Sequence, residues 1–338
     1  MNMETEAKKG EEFRDDNRTA TRLPAAVIKE LAKQDDAKAW VSVVTLLLVL
    51  AVCFGVSLAA WSPWVVMPAV LIIASRQQAC FVLAHDAAHY RLFKSRVLND
   101  LVGCTLAAPV GISMRTYRVL HRLHHNHLYG PQDPDIPLHG GYPRGRSYLL
   151  KKLLIDLTGR TAPKTIAYFL GAPAINDESP NSNRPLHDTT PELRQAARQD
   201  RWLVIGFHIG APLLAALSGH LAAYLILWIL PLCTILQVLL RFRAICEHGA
   251  VTDQNSPLLA ARTNLGPKWL RWFLFPYHVN YHIEHHLYPA IPHYNLPACH
   301  EEFIRRGVLE GAEVRQVFET TGLISADPAA VNKYSFMK

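Results

Sequence analysis

The chain has 338 residues, half of them hydrophobic, and an excess of basic over acidic side chains gives it a formal charge of +7. A chain of this length folds as one large unit or as two modest domains. No basic motif interleaved with aromatic residues accompanies the charge, which argues against nucleic-acid binding and favours anionic lipid headgroups or an acidic protein partner. The 6 cysteines are scattered without a C-x-x-C spacing, which argues against a disulfide framework or a thiolate metal site.

The N-terminal half begins with a charged segment and continues with two apolar ones. Residues 1–38 contain no apolar run, so they predict a cytoplasmic segment without a cleavable signal sequence. The uncharged segment 41–60 has the length that a helix needs to cross a hydrocarbon layer of ~30 Å. A second apolar segment, 64–84, is interrupted only by the Arg-Gln-Gln run at 76–78. The two segments therefore predict a membrane-crossing hairpin, in which the polar run lines a cavity, packs between helices or extends to the interface.

The middle of the chain contains a weaker apolar stretch, a loop and a second hairpin. The stretch 98–113 is short and interrupted by glycine and proline, so it predicts a segment that dips into the membrane without crossing it. Residues 175–191 are rich in Pro, Asn, Asp and Ser and predict a loop between the halves. The apolar segments 202–218 and 221–240 predict the second hairpin. The short hairpin turns lack Lys and Arg, whereas the other flanking regions are rich in both, so the positive-inside rule places both termini in the cytoplasm.

These segments together predict an all-α integral membrane protein with a helical cytoplasmic cap. The four predicted spans lie at about 41–60, 64–84, 202–218 and 221–240 and form two hairpins. The predicted organisation is an N-terminal segment 1–38, a membrane and cap domain 39–305, and a cytoplasmic C-terminal tail 306–338. Such a multi-pass protein belongs in a bacterial inner membrane or the endoplasmic reticulum. The alternative of buried helices in a soluble core is disfavoured, because such helices are seldom apolar on every face.

Eight of the 17 histidines fall into three tight clusters. The clusters are His85 and His89; His121, His124 and His125; and His282, His285 and His286. Within a cluster the spacing puts the side chains on one face of a helix, with Cβ atoms ~5–6 Å apart. The predicted topology gathers all three clusters on the cytoplasmic side. This number of imidazoles exceeds the four ligands of zinc and the six of an octahedral ion, so the sequence predicts two metal ions.

The residues alone leave the identity of the metal open, because imidazole binds iron, copper, zinc and nickel alike. Asp86 stands where an HExxH zinc peptidase carries its general base, which argues against that class. The paired Glu-x-x-His units of soluble carboxylate-bridged di-iron bundles do not occur in the sequence either. The remaining histidines considered have no metal-ligand neighbour at helical spacing and are expected to tolerate replacement by alanine; they are His139, His187, His208 and His220.

With these three clusters the sequence resembles the membrane fatty acid desaturase superfamily. Members of that superfamily carry three histidine boxes of the form HxxxH, HxxHH and HxxHH, which flank two transmembrane hairpins. Further matching signatures are Asp133-Pro134-Asp135 after the second box and Asn280-Tyr281 before the third. The resemblance spans about residues 40–305. It is specific for the superfamily and only weakly specific for the substrate.

The resemblance implies two iron ions and further residues around them. A ninth ligand is expected at the end of the fourth span, which matches His248; a lone histidine favoured by the helix dipole is the alternative there. Asp86 and Glu284, inside the boxes, would orient the ligands from outside the metal sphere. The other acidic residues that would do so are Glu247, Asp133 and Asp135. In the family an Asn can also hold one iron through water, and Asn280 is the nearest candidate.

The implied function is O2-dependent desaturation of a fatty acyl chain linked to a lipid, CoA or a carrier. O2 is the co-substrate, and the electrons come from a separate ferredoxin or small cytochrome, since no His-Pro-Gly-Gly haem motif occurs. The alternatives are a hydroxylase or ketolase of the same superfamily acting on a carotenoid, sterol or alkane, and a membrane zinc hydrolase. The spacing of the first box disfavours the stearoyl-CoA type, and His282 at the start of the third disfavours the front-end type.

Overall fold

The computed structural model describes residues 23–171 and 190–328, and this part of the chain is mostly helical. Its helices are α1 (Ala25–Leu31), α2 (Asp36–Ala59), α3 (Pro63–Ala88), α4 (Arg96–Ala107), α5 (Met114–His127), α6 (Ile136–His139), α7 (Arg146–Leu157), α8 (Ala162–Phe169), α9 (Pro191–Leu217), α10 (Leu221–Tyr224), α11 (Leu230–Cys233), α12 (Ile235–His248), α13 (Lys268–Leu274), α14 (His282–Leu287), α15 (Leu296–Arg305) and α16 (Val317–Ile324). A π-helical segment, Leu225–Ile229, joins α10 to α11, and 3-10 turns lie at Ala108–Val110, Pro276–His278 and His293–Asn295. Two short strands, β1 (Thr263–Leu265) and β2 (Val314–Gln316), pair in parallel with Leu265 opposite Gln316.

Within the described residues, 4 helical segments are long and apolar enough to cross a membrane. They are α2, α3, α9 and the run Leu221–His248, which joins α10, the π-helical segment, α11 and α12. Each contains or overlaps a predicted span, but α9 begins at Pro191 rather than at 202. The Thr190 side chain caps this helix by accepting a hydrogen bond from the Leu193 amide, and its first turns are charged, so hydropathy alone does not reveal them. The arrangement as two hairpins under a cytoplasmic cap stays a prediction.

Helix α3 is the central element of the structure. It packs against α2, α4, α5 and α12, and every residue in 73–88 is buried. Helix α2, in contrast, exposes Leu47, Leu48 and other apolar side chains along one side, as expected for contact with lipid. The position of α3 places the first histidine cluster, at its C-terminal end, in the middle of the molecule.

The polar run in α3 attaches α13 to this candidate span. Arg76 Nη2, Gln78 Nε2 and Ser75 Oγ donate to the backbone carbonyls of residues 272–274, at 2.5, 2.6 and 2.7 Å. These carbonyls end α13 and have no partner within that helix. Gln77 donates instead to a carbonyl of the π-helical segment. Of the interpretations given for this run, the structure shows packing between helices.

The apolar stretch at 98–113 contains a sharp bend. The helical segments Arg96–Val110 and Met114–His127 meet at 94°. Gly111 lies at the break with a φ of 77°, a left-handed conformation that favours glycine. Gly103 allows α4 to approach α3 closely, since an added Cβ would lie 2.7 Å from the Cβ of Ala87. The bend returns the chain along α3, so that α5 carries the second histidine cluster towards the first.

The described part of the predicted C-terminal tail, 306–328, belongs to the folded body. It contains β2 and α16, and α16 packs against α12. Arg262 is fully buried, pairs with Glu313 at 3.0 Å and donates to the carbonyls of Cys246 and Gly249. These long-range contacts join the end of α12 to the C-terminal segment. Local sequence patterns do not reveal them.

Candidate metal centre

The three histidine clusters and His248 meet between α3, α5, α12 and α14. The five-histidine group consists of His85, His89, His121, His125 and His285, whose ligand atoms all lie within 4.8 Å of one another. The four-histidine group consists of His124, His248, His282 and His286. The second and third clusters each contribute to both groups. His121, His125 and His285 belong to the five-histidine group, whereas His124, His282 and His286 belong to the four-histidine group. The two groups touch where His125 and His286 stack, with ring centroids 4.4 Å apart.

The nitrogens of the five-histidine group are spaced as ligands of one ion. The His285 Nε2 atom lies 3.0 Å from Nε2 of both His85 and His125. His125 Nε2 in turn lies 2.9 Å from His121 Nε2. The Nε2 atom of His89 is buried and has no hydrogen-bond partner among the described residues. Ligands bound at right angles to one ion through bonds of ~2.1 Å are ~3 Å apart, which is the spacing seen here.

The four-histidine group shows the same spacing. His248 Nε2 lies 2.8 Å from His282 Nε2 and 3.2 Å from His124 Nε2. His286 Nε2 lies 3.1 Å from His282 Nε2. A neutral imidazole carries one N–H, so nitrogens that converge in this number cannot all be satisfied by sharing protons. A metal ion in each group would satisfy them, and the residues present therefore fit two ions.

Several ligands are oriented by a partner on the other ring nitrogen, Nδ1. Such a partner turns Nε2 towards the centre and fixes the tautomer. The pairs are Tyr117 Oη with His121 at 3.1 Å, Asp133 Oδ1 with His124 at 2.9 Å, and the Ala260 carbonyl with His248 at 3.2 Å.

The surroundings keep most of these imidazoles neutral. Burial, reinforced by neighbouring histidines, holds the pKa of His121 and of His125 well below its usual value. Burial also lowers the pKa of His89 to about 3. For His124 burial acts in the same direction, but the hydrogen bond to Asp133 and nearby carboxylate charges outweigh it and raise the pKa. At neutral pH His89, His121 and His125 are therefore neutral and have a nitrogen lone pair available for a metal ion. The hydrogen bond to Asp133 makes His124 a more basic ligand.

Asp86, predicted to orient the ligands, connects the first box to the loop after the third box. Its Oδ2 atom accepts hydrogen bonds from the backbone amide and Nδ1 of His293, at 2.8 and 2.7 Å. Its Oδ1 atom lies 3.4 Å from Nδ1 of His85. The carboxylate thus links the end of α3 to the loop that follows the third box. His293 was not among the predicted site residues, because no local spacing relates it to a ligand.

Glu284 supports the third box without contacting a ligand imidazole. It accepts hydrogen bonds from His300 Nδ1 at 2.5 Å and from Thr263 Oγ1 at 2.6 Å. The carboxylate therefore fixes α14 as a unit between β1 and α15. Asn280, two residues before the box, is buried, and both polar atoms of its side chain lack a hydrogen-bond partner among the described residues.

His139 lies beside the four-histidine group, although its spacing gave no sign of it. Its ring centroid is 5.1 Å from that of His248 and 6.1 Å from that of His124. Its Nε2 atom is 3.7 Å from Asp133 Oδ2. The expectation that His139 tolerates replacement rested on helical spacing, and the tertiary position of α6 removes that basis. His208 bonds to the Ala108 carbonyl, His220 is exposed, and His187 lies outside the described residues.

A cavity of about 290 Å³ opens onto both histidine groups. Its lining includes His85, His121, His124, His248 and His282. Apolar side chains, among them Phe81, Phe169 and Leu240, also line it. Its charged lining residues include Lys164, which is exposed, and the ion pair between Asp156 and Arg241. Arg243 and Glu247 also line the wall near the histidines.

Comparisons with known proteins identify relatives of the chain. A family model described as fatty acid desaturase matches residues 59–318. The dihydrorhizobitoxine desaturase of Bradyrhizobium elkanii is 28% identical over 256 residues, which cover 72% of this chain and 69% of that protein. The chloroplastic omega-6 fatty acid desaturase of Brassica napus is 26% identical over 307 residues, covering 85% and 64%. The sn-1 oleoyl-lipid 12-desaturase of Anabaena variabilis is 34% identical over 100 residues, covering 29% and 28%. The chain thus spans less than two thirds of the last two relatives.

Proposed function

The chain belongs to the fatty acid desaturase family, and on that basis we propose that it is an O2-dependent membrane desaturase that introduces a double bond into a fatty acyl chain. The acyl chain is linked to a lipid, CoA or a carrier. The observation that carries the proposal is the convergence of two histidine groups on one cavity. The names of two relatives, an omega-6 fatty acid desaturase and an oleoyl-lipid desaturase, support the same class of substrate.

The proposed cofactor is a pair of iron ions, one in each histidine group. When bound, the irons would react with O2, and this chemistry would make it possible to remove hydrogen from an unactivated methylene. Forming a double bond while O2 is reduced to two waters takes four electrons. The substrate provides two of them, and a separate ferredoxin or small cytochrome provides the other two. Imidazole ligands suit this chemistry, because they are neutral and hard to oxidise.

The side chains around the cavity would position the substrate. The apolar part of the lining, with Phe81, Phe169 and Leu240, would hold methylenes next to the histidines and exclude water from them. Lys164, an exposed residue of the lining, would face the head group of the substrate. Together with the apolar helices, this arrangement suits a multi-pass protein of the bacterial inner membrane or endoplasmic reticulum, with both termini in the cytoplasm.

Product analysis tests the proposal directly. Cells expressing the chain receive a labelled fatty acid, and their acyl products are analysed by mass spectrometry. Loss of two hydrogens is expected, whereas gain of an oxygen atom would identify a hydroxylase, and a ketone would identify a ketolase. The variants His85→Ala and His285→Ala should abolish turnover and lower the iron content, while His220→Ala, an exposed histidine, should do neither.

Metal analysis of anaerobically purified protein provides the second test. About two iron ions per chain are expected. Two zinc ions without iron, combined with full activity in the absence of O2, would instead establish a zinc hydrolase and overturn the proposal. Wild-type activity in both ligand variants would overturn the assignment of the site.

A further inference from the structure

A second cavity lies beside the histidine cavity, which is the cavity that opens onto both histidine groups. The second cavity has a volume of about 290 Å³. Three residues line both cavities; they are Pro137, Leu138 and Arg241. The rest of the second lining comes from the segment 136–152 and includes Arg144, Tyr148 and Lys152. The two cavities are therefore neighbours that share a wall.

The second cavity is a basic pocket. The charged residues of its described lining are Arg144, Lys152 and Arg241, and none is acidic. Arg241 is paired with Asp156, which lines the histidine cavity. Arg144 and Lys152 have no ion-pair partner in the part of the chain that the structure describes. The pocket thus keeps two uncompensated positive charges, which favour an anionic ligand.

Tyr148 lies beside both of these cations. The Arg144 Cζ atom is 5.2 Å and the Lys152 Nζ atom 5.6 Å from the centroid of the Tyr148 ring. Arg144 Nη1 donates to Tyr148 Oη at 3.0 Å, and Arg144 Nε donates to the Gly141 carbonyl at 2.9 Å. A Cβ at position 141 would lie 2.1 Å from Arg144 Nη2, so glycine makes room for the guanidinium there.

These contacts hold Arg144 in place and leave donors for a ligand. Within the described residues, Arg144 Nη2 and the Lys152 ammonium have no hydrogen-bond acceptor. The Tyr148 hydroxyl accepts from Arg144 and still has its own proton to donate. A phosphate group offers several acceptor oxygens to such donors and, as a monoester, a charge of about −1.5 to −2. It therefore matches the two free cations better than a singly charged carboxylate does.

We propose that the basic pocket binds a phosphate group in the head of the acyl substrate, through Arg144 and Lys152, while the acyl chain occupies the histidine cavity. The inference rests on the proposed function, because it requires an acyl chain at the histidines. It narrows the substrate to acyl chains linked to a phospholipid, to CoA or to the phosphopantetheine of a carrier. Free fatty acids, carotenoids, sterols and alkanes lack the phosphate.

Binding of soluble probes to the purified full chain in an uncharged detergent tests the pocket. The probes are CoA and dihexanoyl phosphatidate, which carry phosphate, and hexanoate, which carries only a carboxylate. Isothermal titration calorimetry measures each affinity. We expect at least one phosphate probe to saturate at one molecule per chain and to bind at least tenfold more tightly than hexanoate. Tighter binding of phosphatidate identifies a phospholipid, and tighter binding of CoA identifies CoA or a carrier.

Arg144→Gln and Lys152→Gln should each weaken binding of the phosphate probe by about tenfold or more, because each removes a charge-assisted hydrogen bond. Iron content should stay at the wild-type value in both variants. The matched control is Lys151→Gln, which alters the neighbouring lysine of α7; this residue is exposed and belongs to neither lining. It should bind the probe as the wild type does. Arg144 is also exposed, so its variant should fold even if Lys152→Gln does not.

Two results would overturn the phosphate site. A loss in Lys151→Gln as large as in Lys152→Gln would show that a basic surface attracts the probe without a pocket. Equal affinities for hexanoate and for both phosphate probes would show that the pocket does not recognise phosphate.

The outcomes also separate the phosphate site from the proposed function. Desaturation in cells, together with equal probe affinities in wild type, Arg144→Gln and Lys152→Gln, would overturn only the phosphate site. Probe binding that is lost in both variants, together with no desaturated product in cells, would overturn the proposed function and leave a phosphate-binding pocket.

Discussion

Asp133 lies outside the boxes and sets the orientation and basicity of His124, a candidate metal ligand. It accepts hydrogen bonds from His124 Nδ1 at 2.9 Å and from the backbone amides of Tyr129 and Asp135, at 3.0 and 2.9 Å. Burial alone would raise its pKa, but the hydrogen bond from His124 and the neighbouring His139 imidazole outweigh burial and hold the pKa well below its usual range. The carboxylate therefore stays charged at neutral pH and strengthens His124 as a ligand.

Replacing Asp133 by Asn should weaken the binding of one metal ion by about 10- to 100-fold, because an amide orients the imidazole less strongly and adds no charge. Chelator competition with purified protein measures this change. Asp253→Asn, an exposed carboxylate, is the control and should bind metal as the wild type does. Equal affinities in Asp133→Asn and wild type would show that His124 needs no such support.

His139 gives a second prediction, which revises the expectation drawn from its spacing. Its buried ring fills the space beside His124 and His248. Removing the ring opens a cavity there and frees both ligands to move, so His139→Ala should lower metal affinity and turnover at least tenfold. The same change at His220, which is exposed, should have no effect. Metal content and product yield are measured together, and wild-type values for both would restore the original expectation.

The residues of the centre differ in how visible they are in the sequence. His85 and His89 can be recognised in the sequence, because two side chains on one helix face lie three or four positions apart. His248 stands alone on its helix, so only the family resemblance indicated it. His139 and His293 reach the centre from other elements through tertiary contacts, and a single sequence contains no local signal for those contacts.

Among the elements, the C-terminal end of α12 depends on a buried charge. Arg262 donates to the carbonyls of Cys246, Gly249 and Ala250, around the position of His248. It satisfies backbone groups that the helix leaves unpaired where it ends. Its ion pair with Glu313 connects that end to the C-terminal segment. The position of His248 is therefore set by residues far from it in sequence.

Replacing Arg262 by Met should lower the free energy of unfolding by about 3 kcal/mol, since it breaks a buried pair and leaves carbonyls without a donor. The loss stays near the lower end of the range for such pairs, because Arg315 still lies 2.9 Å from Glu313. Denaturant unfolding in detergent measures it. Arg315→Met is the matched control on the same carboxylate; Arg315 is 39% exposed, so about 0–1 kcal/mol is expected. A loss no larger for Arg262 than for Arg315 would contradict the argument.

The elements themselves were predictable to different degrees. Apolar runs of membrane-spanning length indicated the four candidate spans, because that length is a property of the local sequence. Hydropathy did not predict the charged first turns of α9 or the π-helical segment within the fourth span. The pairing of β1 with β2 was not predicted, since it joins segments about 50 residues apart, near 263 and 314.

In the described part of the molecule, three candidate spans, α2, α3 and the run Leu221–His248, have one end near the metal centre. Helix α2 begins beside Tyr294, whose hydroxyl accepts a hydrogen bond from the Asp35 amide at 2.7 Å. Its 24 residues correspond to a length of about 36 Å. The connection from α2 to α3 therefore lies about one membrane thickness from His85. The connection from α9 to α10 is likewise the end of the fourth span opposite His248.

Impermeant thiol labelling tests the topology that these positions predict. Single cysteines are introduced at Ala60 and Ser218, in the two connections, and at Asp253 and Glu310, in the segments that follow α12 and α15; all four positions are exposed. In intact cells the first pair should react with an impermeant maleimide and the second pair should not, because the positive-inside rule predicts that the segments rich in basic residues lie in the cytoplasm. In inverted vesicles the pattern should reverse. The native cysteines provide little background, since five of the six are buried. Labelling of all four positions from the same side would contradict the two-hairpin arrangement, and labelling of the second pair in intact cells would contradict a cytoplasmic metal centre.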